Sequence, residues 1–127
     1  RYLHGQPPVI YGDGEQTRDF TFVENVVQAN WKAAHAPGKA LNGEIFNVGC
    51  GQQVTVNQLV QMLKYITGAD VEPVHDEPRP AEVRHSQANI QKAHDAFGYV
   101  PEVDVREGLR RTVDWFKSAH EEALNGS

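Results

Sequence analysis

Hydrophobic positions change their spacing several times along the 127 residues, and each change marks an element. Val9-Ile10-Tyr11 is an apolar run after Pro7-Pro8 and reads as a brief strand before Gly12. Residues 18–23 alternate, with Phe20 and Phe22 on one face and Thr21 and Val23 on the other, the period of a strand. From Val23 the period becomes helical. Val23, Val27, Asn30, Trp31 and Ala34 form one stripe, with Val26, Ala29 and Ala33 beside it. Glu24 suits the first turn, and Pro37-Gly38 stops the helix. Leu41-Asn42-Gly43 is a turn, and Glu44-Ile45-Phe46-Asn47-Val48 reads as a strand ending at Gly49-Cys50-Gly51. Thr55 caps a helix running to about Thr67, with Leu59, Met62, Leu63 and Ile66 as its core stripe and Gly68 as its stop.

The second half continues with Val71 to His75 as a strand. Pro73, Pro78 and Pro80 make residues 76–82 a constrained loop, and Val83 to Ser86 extend beyond it. Residues 89–97 predict a short helix, with Ile90, Ala93 and Phe97 on one side and Gly98 closing it. After Pro101 the last helix runs from about Val105 to Leu124, with Val105, Leu109, Thr112, Val113 and Phe116 in register. The order predicts an α/β domain, a small mixed sheet with packed helices, without the regular βαβαβ run of a full dinucleotide-binding domain. The length suits one domain with a real core.

Charge narrows the function. A net charge of −5 argues against a nucleic-acid surface, so an anionic ligand would need local cations. One cysteine, Cys50, excludes an intrachain disulfide and fits a reducing, cytoplasmic setting. No apolar run approaches the roughly twenty residues that span a bilayer, so no membrane role is expected. Arg1-Tyr2-Leu3-His4 is neither a signal peptide nor an initiator methionine, and the expectation is a chain that begins inside a larger protein.

The local cations stand in two places. Gly12-Asp13-Gly14 can bring backbone close to a ligand, and Arg18 beside it carries a forked, permanently positive group. Its neighbour Asp19 would orient a nearby group; the simpler reading of Arg18-Asp19 is a surface ion pair. The second place is the Pro-stiffened loop with Arg79, Glu82, Arg84, His85 and Ser86, where either Arg could grip phosphates bidentately and Glu82 could accept from hydroxyls. The simpler reading there is a solvated charged loop. Tyr11, just before the glycine turn, could pack against a flat base or simply fill the core. Gly49-Cys50-Gly51 lacks a third glycine and reads as a tight turn. Cys50 has no positioned base, and the six histidines form no metal-ligand spacing, so neither a nucleophile nor a metal site is expected. Trp31 and Trp115 are read as core or interface residues.

Gly12-Asp13-Gly14-Glu15-Gln16-Thr17-Arg18-Asp19-Phe20, then Val23 and a helix, resembles the C-terminal half of extended short-chain dehydrogenase/reductase enzymes, the NAD-dependent nucleotide-sugar epimerases and dehydratases. Phe46-Asn47-Val48-Gly49 looks like that family's next strand, Arg79-Pro80-Ala81-Glu82-Val83-Arg84-His85-Ser86 like its second substrate loop, and Leu109, Thr112 and Trp115 like its closing helix. The resemblance covers nearly the whole chain and is closest to the UDP-glucose and UDP-N-acetylglucosamine 4-epimerases, then to dTDP-glucose 4,6-dehydratases and UDP-glucuronate decarboxylases. It implies that Arg18 and Arg79 bind the diphosphate of a UDP-sugar, that Tyr11 lies against the uracil, that Glu82 contacts the ribose, and that Ser86 gates sugar size. Ala81-Glu82 replaces the common Gly-Asp, and Asn25 stands where Asp is usual. The family's Gly-x-x-Gly-x-x-Gly fingerprint and Tyr-x-x-x-Lys pair are absent from these residues. The resemblance therefore implies that residues 1–127 are the nucleotide-sugar binding domain alone. The NAD-binding Rossmann domain would lie elsewhere in the parent enzyme. This piece would bind no cofactor, supply no catalytic residue and be inactive by itself. The alternative is a stand-alone truncated module with a binding or assembly role, using the face left bare by the absent domain as a homo-oligomer interface.

Overall fold

The computed structural model describes residues 1–125. A 3-10 turn (Tyr2–His4) leads to β1 (Val9–Tyr11), β2 (Thr17–Arg18), α1 (Val23–His35), α2 (Gly38–Leu41), β3 (Val54–Thr55), α3 (Val56–Thr67), β4 (Val74–Asp76), α4 (Gln91–Phe97) and α5 (Val105–Asn125). The α/β class is as expected, and the sheet is two two-stranded pieces, β1 with β4 and β2 with β3. The chain divides into two compact units, each assembled from separate stretches.

The first unit comprises residues 1–16, 55–84 and the chain from Arg106. Its sheet is parallel, with Val9 beside Val74, Ile10 beside His75 and Tyr11 beside Asp76. Ile10 is its buried centre. β4 begins three residues after the expected Val71, past Pro73, which has no N–H to give a ladder. α3 starts at a full capping box: the Thr55 hydroxyl accepts from Gln58 N–H at 3.0 Å, and the Gln58 side chain accepts from Thr55 N–H at 2.9 Å. Gly68 ends it in the left-handed region. Val60 is its buried residue, whereas Leu59, Met62, Leu63 and Ile66 are half-buried. In α5, Val113 is buried, but Phe116, expected in the core, is exposed and meets the exposed Trp115 edge-on at 5.0 Å. Glu107 with Arg110 and Arg111, and Arg110 with Asp114, line the outer face with ion pairs one turn apart.

The second unit comprises residues 17–54 and 85–105. α1 and α4 form as the spacing predicts, and Gly98 closes α4 with φ 69°. The buried side of α1 differs from expectation. Val23, Val27 and Trp31 are 65%, 60% and 63% exposed, and Trp31 stacks on His35 at 4.2 Å. Ala29, named beside the stripe, is buried, and so is Asn25, which the spacing left out. The small side chain of Ala29 belongs to a core cluster with Ala93 and Tyr99, against which Phe46, Val48, Ile90 and Phe97 pack. Asn25, fully buried, accepts N–H groups from Glu102 and Val103 at 3.0 Å each and donates to Val103 O at 2.7 Å.

Two further expected strands are shortened or missing, and one stretch expected to be extended pairs at a single residue. Of residues 18–23 only Arg18 lies in a strand, because Asp19 turns the chain toward other partners. Residues 44–48 form no strand: Glu44 N–H bonds Leu41 O at 2.6 Å and the Ile45 carbonyl accepts from Lys92 at 2.9 Å, so turn and side chain take groups that a ladder would use. In the stretch 83–86, only His85 bridges to Thr17. Before it, Ala81 sits at φ 59°, a left-handed conformation that suits glycine.

Candidate functional site

In the first unit, a cavity of about 120 Å³ is lined by Tyr11, Gly12, Asp13, Gln16, Pro78, Arg79, Glu82 and Arg84. β1 delivers Tyr11 to its edge, and the Gln16 side chain holds the Tyr11 carbonyl at 2.9 Å. The Arg79 guanidinium lies 4.1 Å over the Tyr11 ring, a cation–π contact. Arg79 and Glu82 are exposed on their loop. Arg84, the other cation of this loop, is committed elsewhere. It grips Asp13 with two bonds of 2.9 and 2.7 Å, and this pair holds the Asp13 carboxyl down to about 2.

Within the glycine turn, Gly12 lines that cavity, whereas Gly14 faces protein rather than open space. Gly12 and Gly14 have φ of 76° and 75°, and a Cβ on Gly14 would lie 2.0 Å from Asn57 Oδ1. Asn57 donates its side chain to Asp13 O at 2.9 Å and its N–H to Gly14 O at 3.0 Å, while Val56 N–H donates to Gln16 O at 3.1 Å. The first N–H groups of α3 are thus spent on turn carbonyls. The open approach expected at Gly14 is filled by the side chain that clasps the turn. His75 donates from Nδ1 to Gly12 O at 2.7 Å, which fixes its tautomer, since a carbonyl only accepts.

Arg18 and Ser86 lie in the second unit, around a cavity of about 390 Å³ with Asp19, Thr21, Asn47, Val48, Gly49, Gln87 and Ala88. Arg18 donates to Thr17 O at 2.7 Å, and Ser86 N–H donates to the same oxygen at 3.2 Å. Asp19 accepts backbone N–H groups of Cys50, Gly51 and Ala88 at 2.8, 2.9 and 3.1 Å. Of the five residues named from the sequence, Tyr11, Arg79 and Glu82 share one cavity, and Arg18 and Ser86 share the other.

Sequence spacing missed Asn57, Asn25 and Tyr99. Tyr99 is fully buried, donates to Gly49 O at 2.8 Å, and is pushed up to about 12 chiefly by burial. The partners of these side chains lie 25 to 78 residues away, beyond any periodicity. Burial also pushes the Cys50 thiol up, against a nucleophilic role. Among the described residues no group of His, Cys, Asp or Glu could hold a metal ion, and no helix is long and apolar enough to cross a membrane.

The family model described as GDP-mannose 4,6 dehydratase matches residues 1–112. The chain belongs to this family. A putative UDP-glucose 4-epimerase of Methanocaldococcus jannaschii is 39% identical over 93% of the chain and 37% of its own length. The solved UDP-glucose 4-epimerase of Thermotoga maritima with UDP-glucose is 42% identical, with a TM-score of 0.86 over 94% of this chain and 37% of that one. The UDP-glucuronic acid 4-epimerase of Bacillus cereus, in complex with UDP-glucuronic acid and NAD, is 31% identical, with a TM-score of 0.84 over 92% of this chain and 37% of that one. Family relatives of this chain are nucleotide-sugar 4-epimerases, dehydratases and decarboxylases. The chain spans little more than a third of these family members.

NAD, which the B. cereus structure holds, finds no fitting cradle at the Gly-x-Gly of this chain. The Cys50 and Gly51 N–H groups are taken by Asp19, and a Cβ at Gly49 would lie 2.7 Å from both Ala88 Cβ and Asp19 Oδ2. The Cys50 and Gly51 N–H groups are therefore not offered to a pyrophosphate in this turn.

Proposed function

We propose that this chain is the substrate-binding part of an NAD-dependent nucleotide-sugar epimerase acting at C4 of a UDP-hexose or UDP-N-acetylhexosamine. The observation that carries the reading is the Arg79 guanidinium over the Tyr11 ring in a cavity shared with Glu82, a cation, a flat ring and a hydroxyl acceptor within one small recess. Those are the groups a nucleoside diphosphate needs: an Arg for phosphate, an aromatic face for the base, a carboxylate for the ribose. Arg18 supplies the second cation toward the diphosphate, and Ser86 meets the sugar. The likeness to an epimerase solved with UDP-glucose, over most of this chain, supports the same reading.

On this reading residues 1–127 are the nucleotide-sugar binding domain, and NAD with the hydride-transfer residues belongs to protein outside this sequence. The piece alone orients the reactant and turns nothing over. The test is calorimetry with millimolar UDP on the chain and its variants. Arg18→Ala and Arg79→Ala are each expected to weaken UDP binding by about tenfold or more, the worth of a charged hydrogen bond. No heat from UDP, together with unchanged activity of the parent enzyme after Arg18→Ala, sinks the site. Products formed by the full gene product from UDP-N-acetylglucosamine separate a 4-epimerase from a dehydratase or decarboxylase.

A further inference from the structure

We propose that Asp19 is the positioning residue of the Arg18–Ser86 cavity, fixing the Ser86-Gln87-Ala88 wall and through it the size of sugar accepted. The proposal rests on the nucleotide-sugar reading above.

One carboxylate ties three separate stretches together. Asp19 Oδ1 accepts from Cys50 N–H at 2.8 Å, and Oδ2 accepts from Gly51 N–H at 2.9 Å and Ala88 N–H at 3.1 Å. Three N–H donors thus converge on the two oxygens of one side chain, which the acceptor sites of a carboxyl group can serve together. The wall is pinned at both ends, Ser86 through its N–H to Thr17 O at 3.2 Å and Ala88 through its N–H to Asp19. Between them the Gln87 side chain donates to Gly51 O. Gly49 closes the clasp from the opposite side: a Cβ there would stand 2.7 Å from both Ala88 Cβ and Asp19 Oδ2, so the turn and the wall touch with no spare space. Asn47 and Gly49 line the same cavity as Arg18 and Ser86. Releasing Ala88 therefore moves a wall of the recess itself, with Arg18 and Ser86 left chemically intact. Asp19 touches no reacting atom in this scheme. It acts through Ala88 and the turn.

Asp19→Asn keeps the shape but turns an NH2 group toward at least one of the three N–H donors, whichever way the amide is placed. Gly49→Ala pushes the wall from the other side and leaves the carboxylate in place. The experiment uses the full gene product and two readouts. Hydrogen exchange reports the amides of Cys50, Gly51 and Ala88, which should be protected in the wild type and exchange faster in Asp19→Asn. Calorimetry gives affinities for UDP, UDP-glucose and UDP-N-acetylglucosamine. Both variants are expected to change the ratio of the two sugar-nucleotide affinities by about tenfold while UDP itself changes by less than about threefold. Unchanged exchange in Asp19→Asn overturns the clasp. A lower melting temperature with an unmoved affinity ratio makes Asp19 structural only and overturns the proposal. Protected amides in a wild type that binds none of the three ligands overturn the nucleotide-sugar reading, and the selectivity role falls with it. Should Asp19→Asn not fold, the ratio in Gly49→Ala decides.

Discussion

Asn25 has no accessible surface, and its side chain makes one donated and two accepted bonds to the chain at residues 102–103. Asn25→Ala strands those backbone groups in the interior and is expected to cost about 2–4 kcal/mol, read by urea denaturation. Asp13 makes a different prediction. Its folded value is about 2 against an ordinary 3.8, because of Arg84, so the pair's contribution is present above about 3.8 and is lost as pH falls through about 2. Arg84→Ala should return the Asp13 carboxyl toward 3.8, visible in a carboxyl carbon NMR titration. At this scale the sequence was partly legible. Arg18, Arg79 and Tyr11 stood out because cations beside a glycine turn and a stiffened loop are unusual. Asp19 was read beside Arg18 alone, since its partners at residues 50, 51 and 88 share no local spacing with it.

Elements whose signals are local were readable, and elements that depend on partners were not. α3 is capped at Thr55 and stopped at Gly68 because its capping box and left-handed terminator are written in adjacent residues. Thr55→Ala should lower stability by about 1 kcal/mol in thermal or urea unfolding. Gly14→Ala should cost more, about 2 kcal/mol or above, since it places a methyl against Asn57 in a left-handed turn. The segment Glu44–Val48 has strand composition, yet its Glu44 N–H and Ile45 carbonyl bond a turn and a lysine. The boundaries of α1 were legible from Val23 and Pro37, but its buried side was not. Periodicity finds the most apolar face, whereas the core was built on Ala29, small enough to share a cluster with Ala93 and Tyr99.

At the scale of the molecule, division into two units interleaved along the chain left no mark on composition or spacing. The exposed apolar side of α1 follows the same logic. Since Trp31 is already 63% exposed, Trp31→Gln should move the stability of the chain by no more than about 0.5 kcal/mol, checked by denaturant unfolding. A larger loss would mean that this ring contributes packing not seen in the exposed helix face. The family match extends over residues 1–112, so α5 from Val113 onward lies outside it.

The carbonyl of Thr17 accepts from both the Arg18 guanidinium at 2.7 Å and the Ser86 amide at 3.2 Å. An anion that draws Arg18 away removes the charged donor from that oxygen and leaves the amide. The peptide group joining residues 17 and 18 then loses polarisation, and its stretching frequency should rise. A single carbon-13 label at the Thr17 carbonyl would make this bond an infrared gauge of ligand occupancy, with no dye and no change of sequence.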